Sequence, residues 1–302
     1  MSTGNEELLA RVATVFTPSR PVGVEAVFAG RKSQRERLRR AIFEPGRHAV
    51  IYGARDVGKT SLARIVAAEL TPSAATIPSQ ERFTHHTFCT RDDDFDRLWT
   101  TVARLIEIHP IPGAETIVRE FRGGERSGTD RAGALAESKD FATPAMVAHT
   151  LRDASRAVFI FDEYDAIRDD TTHEAFADLI KRLSDMPNSP TIVLIGVAAD
   201  ISTLVGHHES IQRCTEQIQM SPLTEHEVRD LVIRGIDFLG LKIDDDAVDA
   251  VAELSRGYPA FAHSMAKAAC ETAINEGRTL VQPVDVIEGA FAAIEAVPLF
   301  VG

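Results

Sequence analysis

Gly53-Ala54-Arg55-Asp56-Val57-Gly58-Lys59-Thr60 fits the pattern G-x-x-x-x-G-K-[ST] and lies between two segments of different character. The preceding residues, His48-Ala49-Val50-Ile51-Tyr52, form a short apolar run that is typical of a buried strand. Residues 61–70 are rich in alanine and leucine and favour a helix. A strand, a glycine loop and a helix in this order bring backbone N–H groups and the positive helix end to one point, where an anion can bind. The alternative is a glycine turn that caps a helix beside an exposed lysine.

The residue types in this pattern suit a phosphate chain with its metal. Lys59 is spaced to contact the β- and γ-phosphates of a nucleotide, and the Thr60 hydroxyl is spaced to ligate Mg2+. The backbone from Gly53 to Ser61 would donate N–H groups to the phosphate oxygens. We therefore predict a nucleotide-binding loop at residues 53–61.

The composition is that of an ordinary folded chain with an acidic balance. The 302 residues allow two domains, each with a core of its own. A net charge of -12 argues against a broad nucleic-acid-binding surface, which usually requires a basic face. One predicted helix carries a cluster of basic residues, so a local basic patch for nucleic acid is an alternative. More often the charges of such a helix are only solvated. Its basic residues are Arg31, Lys32, Arg35, Arg37, Arg39 and Arg40.

Cysteine spacing and hydropathy bear on the compartment. Cys89, Cys214 and Cys270 are far apart and form no C-x-x-C pair, which favours a reducing cytosol and gives no support for zinc or disulfides. No apolar run is long enough to span a bilayer, and the N-terminus lacks a signal-peptide pattern. The prediction is a cytoplasmic protein without a membrane partner.

The order of the predicted elements indicates an α/β fold. Residues 1–26 read as an extended linker, because prolines stand at 18 and 21. Strands and helices then alternate over 27–221, which predicts a three-layer sandwich with a parallel sheet. The predicted strands are 48–52, 83–90, 157–161, 191–195 and 216–220, and the polar stretch 110–140 reads as a surface insertion. Four helices over 222–302 predict a small all-helical domain.

A second chemical signal lies at the end of the apolar run Ala157-Val158-Phe159-Ile160-Phe161, where Asp162-Glu163 follow. A carboxylate at the carboxyl end of a buried strand can hold Mg2+, so Asp162 is the candidate metal ligand. Glu163 is the candidate general base that orients and deprotonates an attacking water. The alternative for Glu163 is a plain turn residue.

With these motifs the chain resembles the AAA+ ATPases, and within them the initiator and origin-recognition branch and the STAND signalling ATPases. Three details carry the narrower resemblance, which spans residues 16–296. Phe28-Ala29-Gly30-Arg31 followed by Leu38 resembles the box ahead of the first strand. Arg213 precedes the last strand, and Gly257-Tyr258-Pro259 matches the G-x-P motif of the helical lid.

The resemblance implies ATP and Mg2+ as cofactors and assigns further residues. Arg213 would act as an arginine finger on the γ-phosphate bound by a neighbouring subunit. Its alternatives are a helix cap or an ion pair with Glu209 or Glu216. Tyr258 and Pro259 would lie near the adenine, with the backbone of 22–24 on its other side.

Two departures from the family pattern predict slow or partner-dependent hydrolysis. Ala260 and Phe261 follow the G-x-P motif where an arginine sensor often stands, and His263 is the nearest polar candidate. Val197-Ala198-Ala199 occupy the place of a polar first sensor, with Asp200 the first polar residue.

Two histidine pairs and the single tryptophan are predicted to have structural roles only. Neighbouring residues of a strand point to opposite faces, so neither His85-His86 nor His207-His208 is expected to chelate a metal. Trp99 stands at helical spacing from apolar residues and is predicted to lie in the core.

The leading hypothesis is an ATP-hydrolysing AAA+ module that switches conformation or oligomeric state. The alternatives are a non-hydrolysing scaffold or signalling switch, and a DNA-associated initiator ATPase, for which the sequence leaves no room for a winged-helix domain after the lid. The expected partners are ATP and either a second copy or another protein, with nucleic acid less favoured but open.

Overall fold

The computed structural model describes residues 3–18, 28–71, 81–119, 142–201, 204 and 209–296. The chain divides into two compact units, which are described separately. The loop–lid unit consists of Met1–Lys32, Arg55–Ile65 and Met220–Gly302, and the sheet unit consists of Ser33–Ala54 and Val66–Gln219. Both are discontinuous in sequence, so the domain boundaries predicted at 26/27 and 221/222 stay a prediction.

Five strands form the predicted sheet, in the order β2-β3-β4-β1-β5. They are β1 His48–Gly53, β2 Phe83–Phe88, β3 Ala157–Asp162, β4 Thr191–Val197 and β5 Thr215–Met220. β2 pairs with β3, β3 with β4, and β4 with β1, all in parallel. Every residue of β3 is buried, as expected for a strand covered on both faces.

The helices complete a three-layer α/β fold and a helical region after it. They are α1 Thr3–Val15, α2 Lys32–Phe43, α3 Lys59–Leu70, α4 Phe95–Ile108, α5 Pro144–Thr150, α6 Asp170–Ser184, α7 Glu209–Cys214, α8 Glu225–Leu239, α9 Asp245–Leu254, α10 Pro259–Asn275 and α11 Pro283–Ala296. Within the described residues no helix combines the length and the apolar character needed to cross a bilayer.

The core of the sheet unit is built on aromatic rings from β3, α4 and α6. Trp99 is fully buried and meets Phe159 and Phe161 edge-on at centroid distances of 5.5 and 5.6 Å, and Phe176 stacks beside it at 6.4 Å. The prediction that Trp99 is a core residue is confirmed. This packing fixes β3, whose last residue is Asp162.

The extended linker predicted for residues 1–26 is wrong over Thr3–Val15, which form α1. Val12, Val15 and Phe16 are buried, and α1 packs against α8 and α10 of the same unit. The Phe16 ring lies so close to Gly235 that a Cβ there would come within 2.4 Å of it. The prolines that suggested an extended segment follow the helix and do not interrupt it.

The C-terminal region contains the four predicted helices, α8 to α11, and one addition. Thr224 and Glu227 form a reciprocal capping box at the start of α8. The region is not purely helical, however, because β6 Lys242–Ile243 and β7 Leu280–Val281 pair in parallel. These strands are two residues long, too short for a periodic pattern in the sequence.

Candidate nucleotide-binding site

The glycine loop of the loop–lid unit leads directly into the first turn of α3. Gly58 has a φ of +90°, a backbone conformation that residues with side chains rarely adopt. A Cβ added there would meet only Pro259 Cγ, at 3.9 Å, so the backbone angle rather than space requires the glycine. The helix begins at Lys59, so Lys59, Thr60 and Ser61 form the turn whose N–H groups point out of the positive end.

Arg31 anchors this loop to the start of α8. The side chain is only 4% exposed, and Nη2 donates to the Val57 carbonyl at 3.1 Å and to the Ser221 carbonyl. The Arg31 backbone N–H donates to Glu227 Oε1 at 3.0 Å. Burial lowers the pKa of the guanidinium, and the nearby Glu227 carboxylate opposes that effect. Within the loop–lid unit, the Arg31 guanidinium therefore joins the Val57 and Ser221 carbonyls, and the Arg31 backbone N–H joins Glu227 of α8.

Gly30 makes this contact sterically feasible. Its φ is +68°, and an added Cβ would lie 2.5 Å from Glu227 Oε1. Only a residue without a side chain lets the carboxylate approach the backbone this closely. The Phe28-Ala29-Gly30-Arg31 box is thus a structural element of the loop–lid unit.

A narrow apolar cleft borders the glycine loop, with an empty volume of about 340 Å3 that includes its open side. The residues that line it come from the box, the loop and the lid helices, among them Phe28, Val57, Leu223, Leu231, Pro259 and His263. A mostly apolar lining of this kind is typical of sites that receive a flat apolar group. Of the two predicted lid residues, Pro259 lines it, whereas the Tyr258 ring lies edge-on to Phe261.

In the sheet unit, Asp162 is held by two hydrogen bonds at the carboxyl end of β3. It is 2% exposed; Oδ1 accepts from the Glu163 N–H at 2.9 Å, and Oδ2 lies 3.0 Å from His86 Nε2. The β2–β3 register pairs Phe88 with Asp162, and His86 stacks on Phe88 at 4.8 Å. His86 is a site residue that the sequence interpretation missed.

Glu163 stands in a strained backbone conformation next to Asp162. Its φ of 57° and ψ of 33° lie in the left-handed region, and its side chain is exposed. A glutamate in this region is uncommon, and such strain is concentrated at functional sites. The turn presents the carboxylate to solvent at the carboxyl edge of the sheet.

The end of β4 carries no polar sensor side chain at 197–199. Instead, the Val197 N–H donates to Asp165 Oδ1 at 2.7 Å, which ties the turn after β3 to the end of β4. A Cβ at Gly196 would lie 2.5 Å from Leu204 Cδ2 and 3.0 Å from Asp165 Oδ1. Asp165 therefore shapes the site through the backbone, a role that its sequence position did not signal.

Arg213 is exposed in the last turn of α7, and its carbonyl accepts from Arg47 Nη1 at 3.0 Å. Of its alternative partners, Glu216 instead binds Arg37 at 2.6 Å and Arg47 at 3.1 Å. The side chain of Glu209 lies outside the described residues.

The basic helix α2 is largely neutralised by acidic partners. Arg35 and Arg39, one turn apart, both bind Glu69, the latter at 2.9 Å. Arg37 binds Glu216, and Arg31 is buried as described. These pairs reduce the local basic patch that the sequence left open, while Lys32 and Arg40 of the same helix are exposed.

The two ring systems of His85 and His86 have different partners: His85 stacks on Phe159 at 6.3 Å, and His86 contacts Asp162. Among the described residues no cluster of three or more histidine, cysteine, aspartate or glutamate side chains could hold a metal by itself. The predicted positions 22–24 and the pair at 207–208 lie outside the described residues.

The five-stranded sheet, the glycine loop at a helix start and the acidic strand end define a P-loop NTPase of the AAA+ type. The chain belongs to the novel STAND NTPase 1 family (nSTAND1), whose model matches residues 22–265. No curated protein sequence matches it.

Solved structures of P-loop ATPases have the same fold. The Walker-type ATPase PABY2304 of Pyrococcus abyssi is 15% identical, with a TM-score of 0.60 over 92% of this chain and 75% of that one. Orc1 of Aeropyrum pernix, solved with DNA, is 17% identical, with a TM-score of 0.59 over 94% and 72%. The RuvB Holliday junction branch migration motor of Thermotoga maritima is 16% identical, with a TM-score of 0.52 over 88% and 70%. The predicted resemblance is confirmed.

Proposed function

We propose that this NTPase binds ATP with Mg2+ and uses the nucleotide state to switch its conformation or its association with a second copy or another protein. The observation that carries the proposal is the apolar cleft beside the glycine loop, bordered by Val57 and Gly58 on the loop and by Pro259 on the lid. A base in the cleft would place its phosphates toward the positive end of α3. The lid would then respond to whether the γ-phosphate is present.

Each candidate residue has a role that follows from its chemistry. Lys59 would bind the β- and γ-phosphates, and Thr60 and Asp162 offer the oxygen ligands that Mg2+ prefers. The two hydrogen bonds to Asp162 fix the direction in which its carboxylate can accept further contacts. Glu163, exposed on its left-handed turn, would accept a proton from the attacking water.

We expect turnover to be slow in the isolated protein. Residues 197–199 carry no polar side chain, and Ala260 stands where the resemblance leads us to expect an arginine. The chain itself thus offers few groups to stabilise charge on a transferring phosphoryl group. A second copy that contributes Arg213 would supply the missing cation.

Phosphate release by the wild type and by Glu163→Gln tests the hydrolytic part. Removing a general base lowers the rate by about 10²- to 10⁴-fold, while ATP binding should persist because Glu163 makes no contact assigned to binding. Lys59→Ala is the matched control, in which binding itself should be lost. Equal rates in the wild type and Glu163→Gln would refute the assignment of Glu163.

The second candidate is a switch that holds ATP without hydrolysing it, and it is favoured by the apolar residues at 197–199. In that case ATP would be retained through gel filtration and recovered unchanged, at equal levels in the wild type and Glu163→Gln. Recovery of ADP from the wild type alone would exclude this candidate.

DNA association is the least favoured function. Three of the four arginines of α2, Arg35, Arg37 and Arg39, bind Glu69 or Glu216, and the chain carries a net charge of -12. Binding that weakens steeply between 50 and 200 mM salt in an anisotropy assay would instead support it.

A further inference from the structure

His263 is a buried histidine in the wall of the apolar cleft. It lies on α10, one turn after Pro259, and is 3% exposed. Its ring packs edge-on against Phe16, with centroids 5.9 Å apart, and it lines the cleft together with Phe28 and Leu231. Nothing in the nucleotide-binding roles assigned above makes use of this side chain.

The hydrogen bonds of His263 determine which ring nitrogen carries the proton. The Thr17 N–H donates to Nδ1 at 3.4 Å, a long hydrogen bond that makes Nδ1 the acceptor. Burial lowers the pKa of His263 to about 4, so the ring is neutral at pH 7 and bears its one proton on Nε2. Nε2 is buried and has no hydrogen-bond partner among the residues that the structure describes. His263, which lines the cleft, therefore carries an N–H donor that no group in the described part of the chain satisfies.

A buried donor without a partner destabilises the fold unless a ligand completes it. Most of the other lining side chains are apolar; of the polar ones, the Arg31 guanidinium already donates to the Val57 and Ser221 carbonyls, and Ser61 belongs to the first turn of α3. A neutral ring cannot neutralise a γ-phosphate, so His263 does not replace an arginine sensor, the role for which it was the nearest polar candidate. Its chemistry instead suits a flat, uncharged group with a lone pair in its plane.

We propose that His263 reads the base of the bound nucleotide, by donating Nε2–H to an unprotonated ring nitrogen of adenine held in the apolar cleft. This inference rests on the proposed ATP-binding function and names a specificity-determining residue for it. Thr17 is its positioning partner, since the bond to Nδ1 fixes the tautomer.

Base analogues that lack one ring nitrogen test the contact directly. The affinities of the wild type for ADP and for 1-deaza-, 3-deaza- and 7-deaza-ADP are measured by titration calorimetry. One analogue should bind about 3- to 10-fold more weakly than ADP, the loss expected for one hydrogen bond. In His263→Leu that difference should vanish, because no donor remains. His263→Gln keeps an N–H donor and should retain part of it.

His226→Leu, at an exposed histidine of the same unit, is the matched control and should behave as the wild type. If the wild type binds all three analogues as tightly as ADP, or if His263→Leu still discriminates among them, His263 does not read the base. The comparison of the three analogues with ADP uses only the wild type, so it does not depend on whether a variant folds. If the wild type binds no nucleotide at all, the proposed function fails as well, whereas ADP binding without discrimination overturns this inference alone.

Discussion

The carboxylate of Asp162 illustrates how single residues complete the candidate site. The Glu163 N–H binds one oxygen and His86 the other, so the group is fixed before any metal arrives. Residues that orient a metal ligand usually matter nearly as much as the ligand. His86 is therefore a positioning residue, since it would act on the metal only through Asp162.

We expect His86→Ala to raise the Mg2+ concentration needed for half-maximal ATP binding by about tenfold, because the carboxylate loses one of its two fixed donors. His86→Asn, which keeps an N–H donor, should restore part of the wild-type value. Mg2+ titrations with a fluorescent ATP analogue measure both.

The control is His149→Ala, at an exposed histidine of the sheet unit. An unchanged Mg2+ requirement in His86→Ala would mean that the hydrogen bond does not position the metal ligand. A uniform loss of nucleotide affinity at all Mg2+ concentrations would indicate a folding defect instead.

Some candidate site residues could be predicted from a short sequence pattern, and others could not. Lys59 and Thr60 follow from a contiguous pattern, and Asp162 follows from the rule that ligands collect at strand ends. His86 lies 76 residues from Asp162, and Arg31 lies 196 residues from Glu227. Such pairs depend on strand register and helix placement, which no short pattern encodes.

At the scale of elements, the pairing of β1 with β4 includes a buried histidine. His48 begins β1, and its Nδ1 accepts from the Ile192 N–H of β4 at 3.0 Å. Burial lowers the pKa of His48 to about 3, because the charged form cannot be solvated there. The neutral ring extends the contact between the two strands beyond their backbone ladder.

This pairing predicts a loss of stability in mild acid. Above pH 6.5 the ring is neutral in both the folded and unfolded states. As the pH falls below that value, His48 binds a proton in the unfolded state. In the folded state it stays neutral until the pH approaches its lowered pKa. Between pH 7.5 and 4.5 His48 should therefore cost about 2–3 kcal/mol of unfolding free energy.

Urea unfolding at these two pH values measures the loss, and His48→Asn should show a smaller one, because asparagine does not titrate. The exposed His226→Asn should keep the wild-type dependence. Equal losses of unfolding free energy in His48→Asn and the wild type would mean that the lowered pKa of His48 does not cause the loss.

Helices and strands with a strong local sequence pattern could be predicted, and those without one could not. The β3 and β4 runs are short, apolar and β-branched, and the capping box at Thr224 marks a helix start, so all three were predictable. α1 was not, since Pro18 and Pro21 suggested an extended segment and the helix is held by contacts with α8 and α10. The α5 helix ends at Thr150 and is followed by a turn in which the Ala154 N–H donates to the Leu151 carbonyl.

At the scale of the whole molecule, the arginines near the last strand differ in their partners. Arg35, Arg37 and Arg39 of α2 are engaged by Glu69 and Glu216, whereas Arg213 is exposed in α7 and makes no ion pair among the described side chains. An exposed arginine near the last strand is available to another copy of the chain.

We expect ATP to increase the molar mass of the wild type in size-exclusion chromatography with light scattering. Arg213→Ala should abolish the rise in specific ATPase activity with protein concentration, because the cation offered to a neighbour is gone, an effect worth about 10³-fold or more in related reactions. Arg182→Ala, at a surface arginine paired with Asp178, is the control.

Concentration-independent turnover in the wild type would show that Arg213 does not act between copies. An ATP-dependent mass increase that survives in Arg213→Ala, with activity lost, would separate assembly from catalysis and keep the finger assignment.

The loop–lid unit joins residues from the beginning, the first third and the end of the chain. During synthesis on the ribosome, the glycine loop emerges more than 150 residues before Glu227 and Pro259 leave the exit tunnel. Until then the Arg31 backbone N–H lacks the Glu227 carboxylate and the Arg31 guanidinium lacks the Ser221 carbonyl. A nascent chain therefore carries the complete phosphate motif before the lid contacts can form, and on the proposed function an unfinished polypeptide would not yet act as a nucleotide-dependent switch.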